Sequence, residues 1–270
     1  MQKNTYYLRE DLVKQWLGKD PFSMVKQIEG EIFRQKEGRR TLRFVLGEKS
    51  YFLKYHQGIG WAEIVKNLLQ FRLPIISAKN EWLAIQLLEK NQLDSMQIAA
   101  YGERGWNPAK KTSFLVTDEL VDTMSLEHLA KQWRQTPPTF QSKRRLITKI
   151  ANISRKMHES GLNHRDFYLC HFLLDKSFAT TNTIEDETRL FLIDLHRAQI
   201  RKKVPQRWLV KDIGSLYFSA LDVDLTQRDC FRFITLYSGL SLREALSKQQ
   251  SFWDNVGKRA VKLRDNGKAE

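Results

Sequence analysis

The sequence predicts an α+β chain in two parts, strand-rich over residues 1–119 and mainly helical over 120–270. Three observations carry this. Between Glu31 and His56, β-branched and aromatic residues come in short runs separated by glycine-containing turns. From Leu146 onward, apolar residues recur at the three- and four-residue spacing of helix faces. A length of 270 residues suffices for one large domain or two lobes sharing a cleft, and 41% hydrophobic content suits an ordinary globular core.

Taken in order, the first strands are expected at Ile32–Arg34, Thr41–Leu46 and Tyr51–Tyr55, joined as an antiparallel meander. Gly38 and Gly47 stand where tight turns call for positive φ. Trp61, Ile64, Val65, Leu68 and Leu69 then mark one face of a helix running to Arg72, with Pro74 ending it. A second helix starts near Ser77, a suitable N-cap, and carries Glu81, Ala84, Leu87 and Leu88. A strand over Ser113–Val116 leads into Thr117-Asp118-Glu119-Leu120. Leu146, Ile150, Ile153 and Met157 share a helix face that Gly161 terminates. Two short strands, His171–Leu174 and Leu190–Ile193, flank a polar excursion over Ser177–Arg189. Further helices are expected over Lys211–Leu221, Thr226–Tyr237 and Ser241–Lys262.

Two cysteines, Cys170 and Cys230, offer neither a disulfide framework nor a Cys-x-x-Cys metal signature, which suits a reducing compartment. The polar Met1–Tyr7 and the mixed Leu8–Lys19 lack the apolar core of a secretory signal. No uninterrupted apolar run nears the ~18–20 residues of a membrane span. The expected location is the cytosol. The formal net charge of +14 predicts anionic partners: nucleic acid, an anionic membrane or substrate, or a small acidic protein.

The chemistry is carried by Asn163-His164-Arg165-Asp166-Phe167-Tyr168-Leu169-Cys170-His171-Phe172 and, downstream, Phe191-Leu192-Ile193-Asp194-Leu195-His196. Together they resemble the catalytic loop and metal-binding segment of protein-kinase-like phosphotransferases. That resemblance implies a bilobal fold, an antiparallel-strand N-lobe over 1–119 and a mainly helical C-lobe over 120–270. It becomes closer through Gly18-Lys19-Asp20-Pro21-Phe22, Arg39-Arg40-Thr41-Leu42-Arg43-Phe44, Cys170-His171-Phe172-Leu173-Leu174, Ile193-Asp194-Leu195-His196-Arg197-Ala198-Gln199 and Leu225-Thr226-Gln227-Arg228-Asp229. These runs resemble the lipopolysaccharide core heptose(I) kinase family from about Trp16 to Phe252.

The resemblance implies an ATP- and Mg²⁺-dependent kinase acting on a heptose of the lipopolysaccharide inner core. It would work at the cytoplasmic face of the inner membrane of a Gram-negative bacterium. Asp166, with His164 and Arg165 beside it, is the candidate base for the sugar hydroxyl; the bland alternative is an Asp capping a turn. Asp194 ends an apolar strand, where a carboxylate needs a cleft or a cation, and is the candidate Mg²⁺ ligand. Leu195 and His196 replace the phenylalanine and glycine of the usual Asp-Phe-Gly, so activation-loop switching is not expected. His171 replaces the usual asparagine; as imidazole is a poor Mg²⁺ ligand, ligation, phosphate contact and loop support all remain open for it. A zinc site of His164, Cys170, His171 and His196 fits no ordinary zinc spacing.

For ATP, Lys54 would hold the α- and β-phosphates with Glu81 as its partner, against the alternative of a surface lysine and an unrelated glutamate. No Gly-x-Gly-x-x-Gly is present, so Gly38 with Arg39 and Arg40 would cover the phosphates, unless they form only a solvated hairpin tip. Asp118 and Glu119 sit where backbone groups would meet adenine. Asp212 resembles the helix-borne aspartate that braces the catalytic loop. The basic helix from Trp61 to Arg72 either packs on the strands or lies on an anionic bilayer. The expected partners are the anionic lipopolysaccharide core, the inner-membrane surface and a small acidic protein; with no nucleic-acid-reading module, nucleic acid is not expected. The alternatives are a related phosphotransferase with another acceptor, a protein tyrosine or a small molecule, and a non-catalytic anion-binding protein of the same fold.

Overall fold

The computed structural model describes residues 4–36, 38–69, 75–181 and 183–267. The chain divides into two compact units, one of residues 1–85 and 96–121, the other of 86–95 and 122–270.

In chain order the first unit contains strand β1 (Asn4–Leu8), helices α1 (Glu10–Gln15) and α2 (Pro21–Gln27), and strands β2 (Glu31–Lys36), β3 (Arg39–Leu46) and β4 (Lys49–Gln57). Helices α3 (Gly60–Leu69) and α4 (Lys79–Lys90, counted with the second unit from Gln86 on) and strands β5 (Ile98–Arg104) and β6 (Thr112–Asp118) follow. The strands form one antiparallel sheet in the order β1-β5-β6-β4-β3-β2. The expected β2-β3-β4 meander is present, with Gly38 and Gly47 at φ +69° and +65° in its turns.

The sheet's other edge, β1 and β5, and the helices α1 and α2 are additions to the expected pattern. Leu12, Trp16, Phe22 and Val25 of the N-terminal segment are buried with Leu42, Phe44, Leu53, Phe114 and Val116 of the sheet. Phe22 meets Phe114 edge-on at 5.1 Å between ring centroids. Asp20 caps α2 by accepting from Ser23 N–H, and Pro21 follows where a missing N–H costs nothing. Helix α3 runs to Leu69; Arg72 and Pro74 lie outside the described residues. Only Ile64 of its expected apolar face is buried, and Trp61, Val65, Leu68 and Leu69 are exposed.

The second unit contains β7 (Thr123–Ser125), α5 (Leu126–Trp133), α6 (Phe140–Glu159), β8 (Leu162–Asn163), β9 (Phe172–Asp175), α7 (Lys176–Thr181), β10 (Leu190–Leu192) and β11 (Gln199–Ile200). It ends with α8 (Gln206–Ser219), α9 (Gln227–Ser238), α10 (Leu242–Lys248) and α11 (Gln250–Gly267). Helix α7 opens the stretch expected as a polar excursion. The single helix expected over Ser241–Lys262 is two, parted at Gln249. The small sheets β10-β9-β7 and β11-β8 carry the segments around Asp166 and Asp194.

Helix α9 begins with a reciprocal capping box: Thr226 Oγ1 accepts from Asp229 N–H, and Asp229 accepts from Thr226 N–H. Asp229 is buried and also pairs with Lys143 of α6 at 2.9 Å. Burial alone would raise its pKa, but the Thr226 amide, Lys143 and the Thr226 hydroxyl together hold it below the ordinary carboxylate value. Its contribution to stability is therefore present above the unfolded carboxylate pKa of about 3.9 and is lost as pH falls through the folded value. Asp229→Asn is expected to destabilise the chain by about 1–3 kcal/mol at neutral pH. Urea unfolding at pH 7 and at pH 3 checks this, the difference from wild type shrinking at the acid end.

Candidate functional site

Helix α6 ends at Ser160, and Gly161 turns the chain at φ +87°. A Cβ there would lie 1.9 Å from the Arg201 carbonyl oxygen, so only glycine permits this approach. β8 then pairs with β11, and the loop from His164 to Tyr168 projects beyond it, pinned by the fully buried ring of Phe167. A 3-10 turn over Leu169–His171 leads into β9. Opposite, β10 delivers Ile193, whose N–H donates to the His171 carbonyl at 3.0 Å, and then Asp194 in the left-handed region at φ +60°.

These two segments bring His164, Arg165, Asp166, His171 and Asp194 together. Asp166 accepts on Oδ1 from Arg197 at 2.7 Å. Its backbone carbonyl accepts from His171 Nδ1 at 2.6 Å, so Nδ1 carries a proton and Nε2 faces Asp194 Oδ2 at 3.7 Å. His196 Nδ1 donates to the other Asp194 oxygen at 2.7 Å. Burial disfavours the His171 imidazolium, but hydrogen bonds to Cys170 and the Asp166 carbonyl, with the nearby Asp194 carboxylate, outweigh it and push its pKa up to about 9.

His164 is fully buried and held neutral: burial lowers its pKa. Its Nε2 donates to the Ile193 carbonyl at 3.0 Å, and its Nδ1 accepts from Asp166 N–H at 3.3 Å. It is a brace between the two segments, with both ring nitrogens engaged. Arg165 adopts φ +75°, and its guanidinium stands over the Trp208 ring at 5.0 Å, not over Asp166.

Asp212, on α8 and fully buried, accepts from the backbone N–H of His164 at 2.7 Å and of Arg165 at 2.8 Å. Its Oδ2 also meets His158 Nε2 at 3.3 Å, and His158 Nδ1 meets the Tyr237 hydroxyl at 2.9 Å. The loop geometry is thus held from behind by a chain of polar groups reaching α6 and α9.

In the first unit, Lys54 on β4 pairs with Glu81 on α4 at 2.7 Å; Glu81 is buried, where an unpaired carboxylate would be costly. The side chains of the other expected nucleotide residues have partners of their own. Arg40 donates to the Val25 and Lys26 carbonyls at 3.2 Å, and Arg39 to that of Ile75, so both guanidiniums are committed to backbone at the Gly38 hairpin. The side chains of Asp118 and Glu119 are tied to Arg9 and Arg43, each at 2.7 Å, and leave only their backbone for a ligand.

The donor set around Asp194 suits a hard cation sparingly coordinated by protein. No cluster of three or more His, Cys, Asp or Glu able to hold a metal occurs among the described residues. Mg²⁺ commonly takes one or two carboxylates and completes its shell with water and phosphate. Asp194 offers such a carboxylate. His171 Nε2 is geometrically able to join it only as neutral imidazole.

Comparison with known proteins decides the family. The model of the lipopolysaccharide kinase (Kdo/WaaP) family matches residues 23–237. The chain belongs to this family. It is 47% identical over 258 residues to the lipopolysaccharide core heptose(I) kinase WaaP of Escherichia coli (strain K12), covering 96% of each chain. It is 45% identical to the protein of the same name from Pseudomonas aeruginosa, covering 95% of this chain and 94% of that one. A solved structure of WaaP in complex with acyl carrier protein matches with a TM-score of 0.83 and 40% identity, over 96% of this chain and 99% of that one. The fold is accordingly protein-kinase-like, and this Kdo/WaaP family member is a phosphotransferase.

Three elements of this family member's site are not marked by the sequence pattern: Arg197 on Asp166, the His158–Tyr237 support of Asp212, and Trp208. Arg197 follows Asp194 by three residues inside a run that carries the family resemblance, but nothing there marks it as the partner of Asp166. Asp212→Asn offers one N–H-bearing amide to two loop N–H donors, so it displaces the loop without removing volume. It is expected to slow phosphoryl transfer by about 10²-fold, the scale of an ångström of misplacement. Steady-state kinetics with unchanged KM for ATP, together with faster amide exchange at Arg165, would check this.

Proposed function

We propose that this chain transfers the γ-phosphoryl group of ATP to a heptose hydroxyl of the lipopolysaccharide inner core, with Asp166 as the base and Asp194 as the Mg²⁺ ligand. The observation that carries the reading is the Asp166–His171–Asp194 cluster, in a chain 47% identical to a heptose(I) kinase. Phosphoryl transfer asks for alignment and charge compensation, which a fixed carboxylate pair supplies. Asp166 would accept the sugar proton while orienting its oxygen. Lys54, steadied by Glu81, would hold the α- and β-phosphates. When bound, Mg²⁺ supplies charge neutralisation at the phosphate oxygens. His171 would act through its bond to the Asp166 carbonyl, as a support of the loop.

The membrane-facing acceptor suits the exposed Trp61, Val65, Leu68 and Leu69 of α3, which with Lys66 make a surface suited to an anionic bilayer. No helix among the described residues is long and apolar enough to cross a membrane, so peripheral attachment at the cytoplasmic face is the proposed location. A small acidic partner is also part of the reading. The related WaaP structure contains acyl carrier protein, and the second unit of this chain holds an apolar cavity of about 250 Å³. Leu129, Leu146, Ile150, Phe233 and Trp253 are among its lining residues. Such a lining suits an acyl chain, and the net charge of +14 suits an acidic carrier.

The test is incubation with ATP, Mg²⁺ and dephosphorylated core lipopolysaccharide, with phosphate followed into the sugar by mass spectrometry. Phosphate on heptose is the expected result. Mg²⁺-dependent ATP binding without heptose phosphorylation would shift the reading to another acceptor.

A further inference from the structure

Around Trp208 of α8 the second unit collects positive charge. Lys211 Nζ lies 4.4 Å from the ring centroid, and the guanidinium carbons of Arg165, Arg207 and Arg201 lie at 5.0, 5.5 and 5.6 Å. Cation–π attraction offsets only part of the repulsion among four like charges around one ring. Arg197 and Arg259 add to the field. Lys211 has its pKa lowered by burial first, then by Arg259, Arg165, Arg207 and Arg197. Arg165 is lowered by burial and then by Arg197, and Arg201 by burial and then by Arg207.

Acidic side chains do not compensate this. Those nearby, Asp166 and Asp212, are engaged by Arg197 and by the loop amides. Among the described residues Arg165, Arg207, Lys211 and Arg259 form no salt bridge, and Arg201 bonds only the neutral side chains of Asn163 and Gln199 and the Gly161 carbonyl. The Nε atoms of Arg165 and Arg259 and the indole Nε1 of Trp208 are buried without a hydrogen-bond partner among the described residues. Orphaned donors beside uncompensated positive charge form an arrangement that an anion would satisfy.

The position of the cluster says which ligand it serves. Arg165 directly precedes Asp166, and Arg197 bonds the Asp166 carboxylate, so the charge adjoins the group that must meet the acceptor hydroxyl. We propose that Arg165, Arg201, Arg207 and Lys211, gathered around Trp208, are the subsite for an anionic group, carboxylate or phosphate, on the sugar acceptor. This rests on the reading of the chain as a lipopolysaccharide-core kinase. Arginine forks suit bidentate contact with either anion, and a positive patch beside the base selects acceptors by charge before any sugar hydroxyl is aligned.

The test uses Arg207→Gln and Lys211→Gln, singly and together, because both residues are largely exposed and glutamine keeps a polar chain of similar reach beside the Trp208 ring. Deacylated, dephosphorylated core oligosaccharide is titrated into the full chain by calorimetry, and KM values for that acceptor and for ATP are measured in parallel. Each substitution is expected to raise the acceptor Kd and KM about tenfold, the scale of one charge-assisted hydrogen bond, with KM for ATP unchanged. Amidating the acceptor's carboxyl groups should weaken wild-type binding and abolish the difference between wild type and variant if the anion is a carboxylate. A difference that appears only with acceptor retaining its phosphates assigns it to phosphate. Equal acceptor Kd in wild type and double variant with both acceptors overturns the subsite, as does an equal rise in KM for ATP or no acceptor binding by wild type. Acceptor binding that depends on Arg207 and Lys211 without heptose phosphorylation leaves the subsite standing and overturns the reaction instead.

Discussion

Asp166→Ala is expected to lower phosphoryl transfer by about 10²–10⁴-fold, with ATP affinity unchanged. Its effect should be confined to chemistry because the loop does not hang on this side chain. His171 is held by the Asp166 backbone carbonyl, and His164 by the Asp166 N–H and the Ile193 carbonyl; all of these survive truncation. Truncation removes the ion pair to Arg197, whose guanidinium is partly exposed and remains hydrated. Single-turnover kinetics with saturating acceptor, beside nucleotide titration, separates the two effects. A folded Asp166→Ala variant with wild-type turnover would remove Asp166 as the base.

Asp194→Asn is expected to abolish the Mg²⁺ dependence of nucleotide binding and to lower transfer by about 10²–10³-fold. Asparagine is the informative replacement. Asp194 sits at φ +60°, a region that asparagine adopts about as readily as aspartate and that alanine disfavours, so the amide removes charge while keeping the backbone. Nucleotide affinity measured with and without Mg²⁺ should converge in the variant. If Mg²⁺ still tightened nucleotide binding to the variant as it does in wild type, Asp194 would not be the ligand.

The legible parts of this chain are those whose signal is local. β3 and β4 carry β-branched or aromatic residues between glycine turns, and α6 carries Leu146, Ile150 and Met157 at helical spacing before Gly161. β5 is hidden because Ile98-Ala99-Ala100-Tyr101-Gly102 holds few β-formers. Its alanines and glycine are selected by close packing, a Cβ on Gly102 falling 2.4 Å from the Phe114 ring. β1 is mostly exposed and shows no buried alternation. The break between α10 and α11 is masked because Ala245, Phe252, Val256 and Ala260 continue a helical apolar pattern through it.

The same divide runs through the candidate site. His164, Asp166, His171 and Asp194 are legible because they lie in two short runs. That Arg197 would close on Asp166, or that Arg201 and Arg207 would meet Arg165 around one indole, depends on how β11 and α8 return to the loop. Charge alone gives no hint of it, since basic residues are spread along the whole sequence.

The stretch from Asp194 to Asp212 is fastened along most of its course. Leu195–Arg197 is a 3-10 turn, β11 is paired to β8, Arg201 N–H donates to the Gly161 carbonyl, and Pro205 opens α8. Such a segment is held near one course by backbone pairing at its middle and by helix α8 at its end. In the proposed reaction, expected turnover then follows how many copies of the chain are made and how often its acceptor arrives.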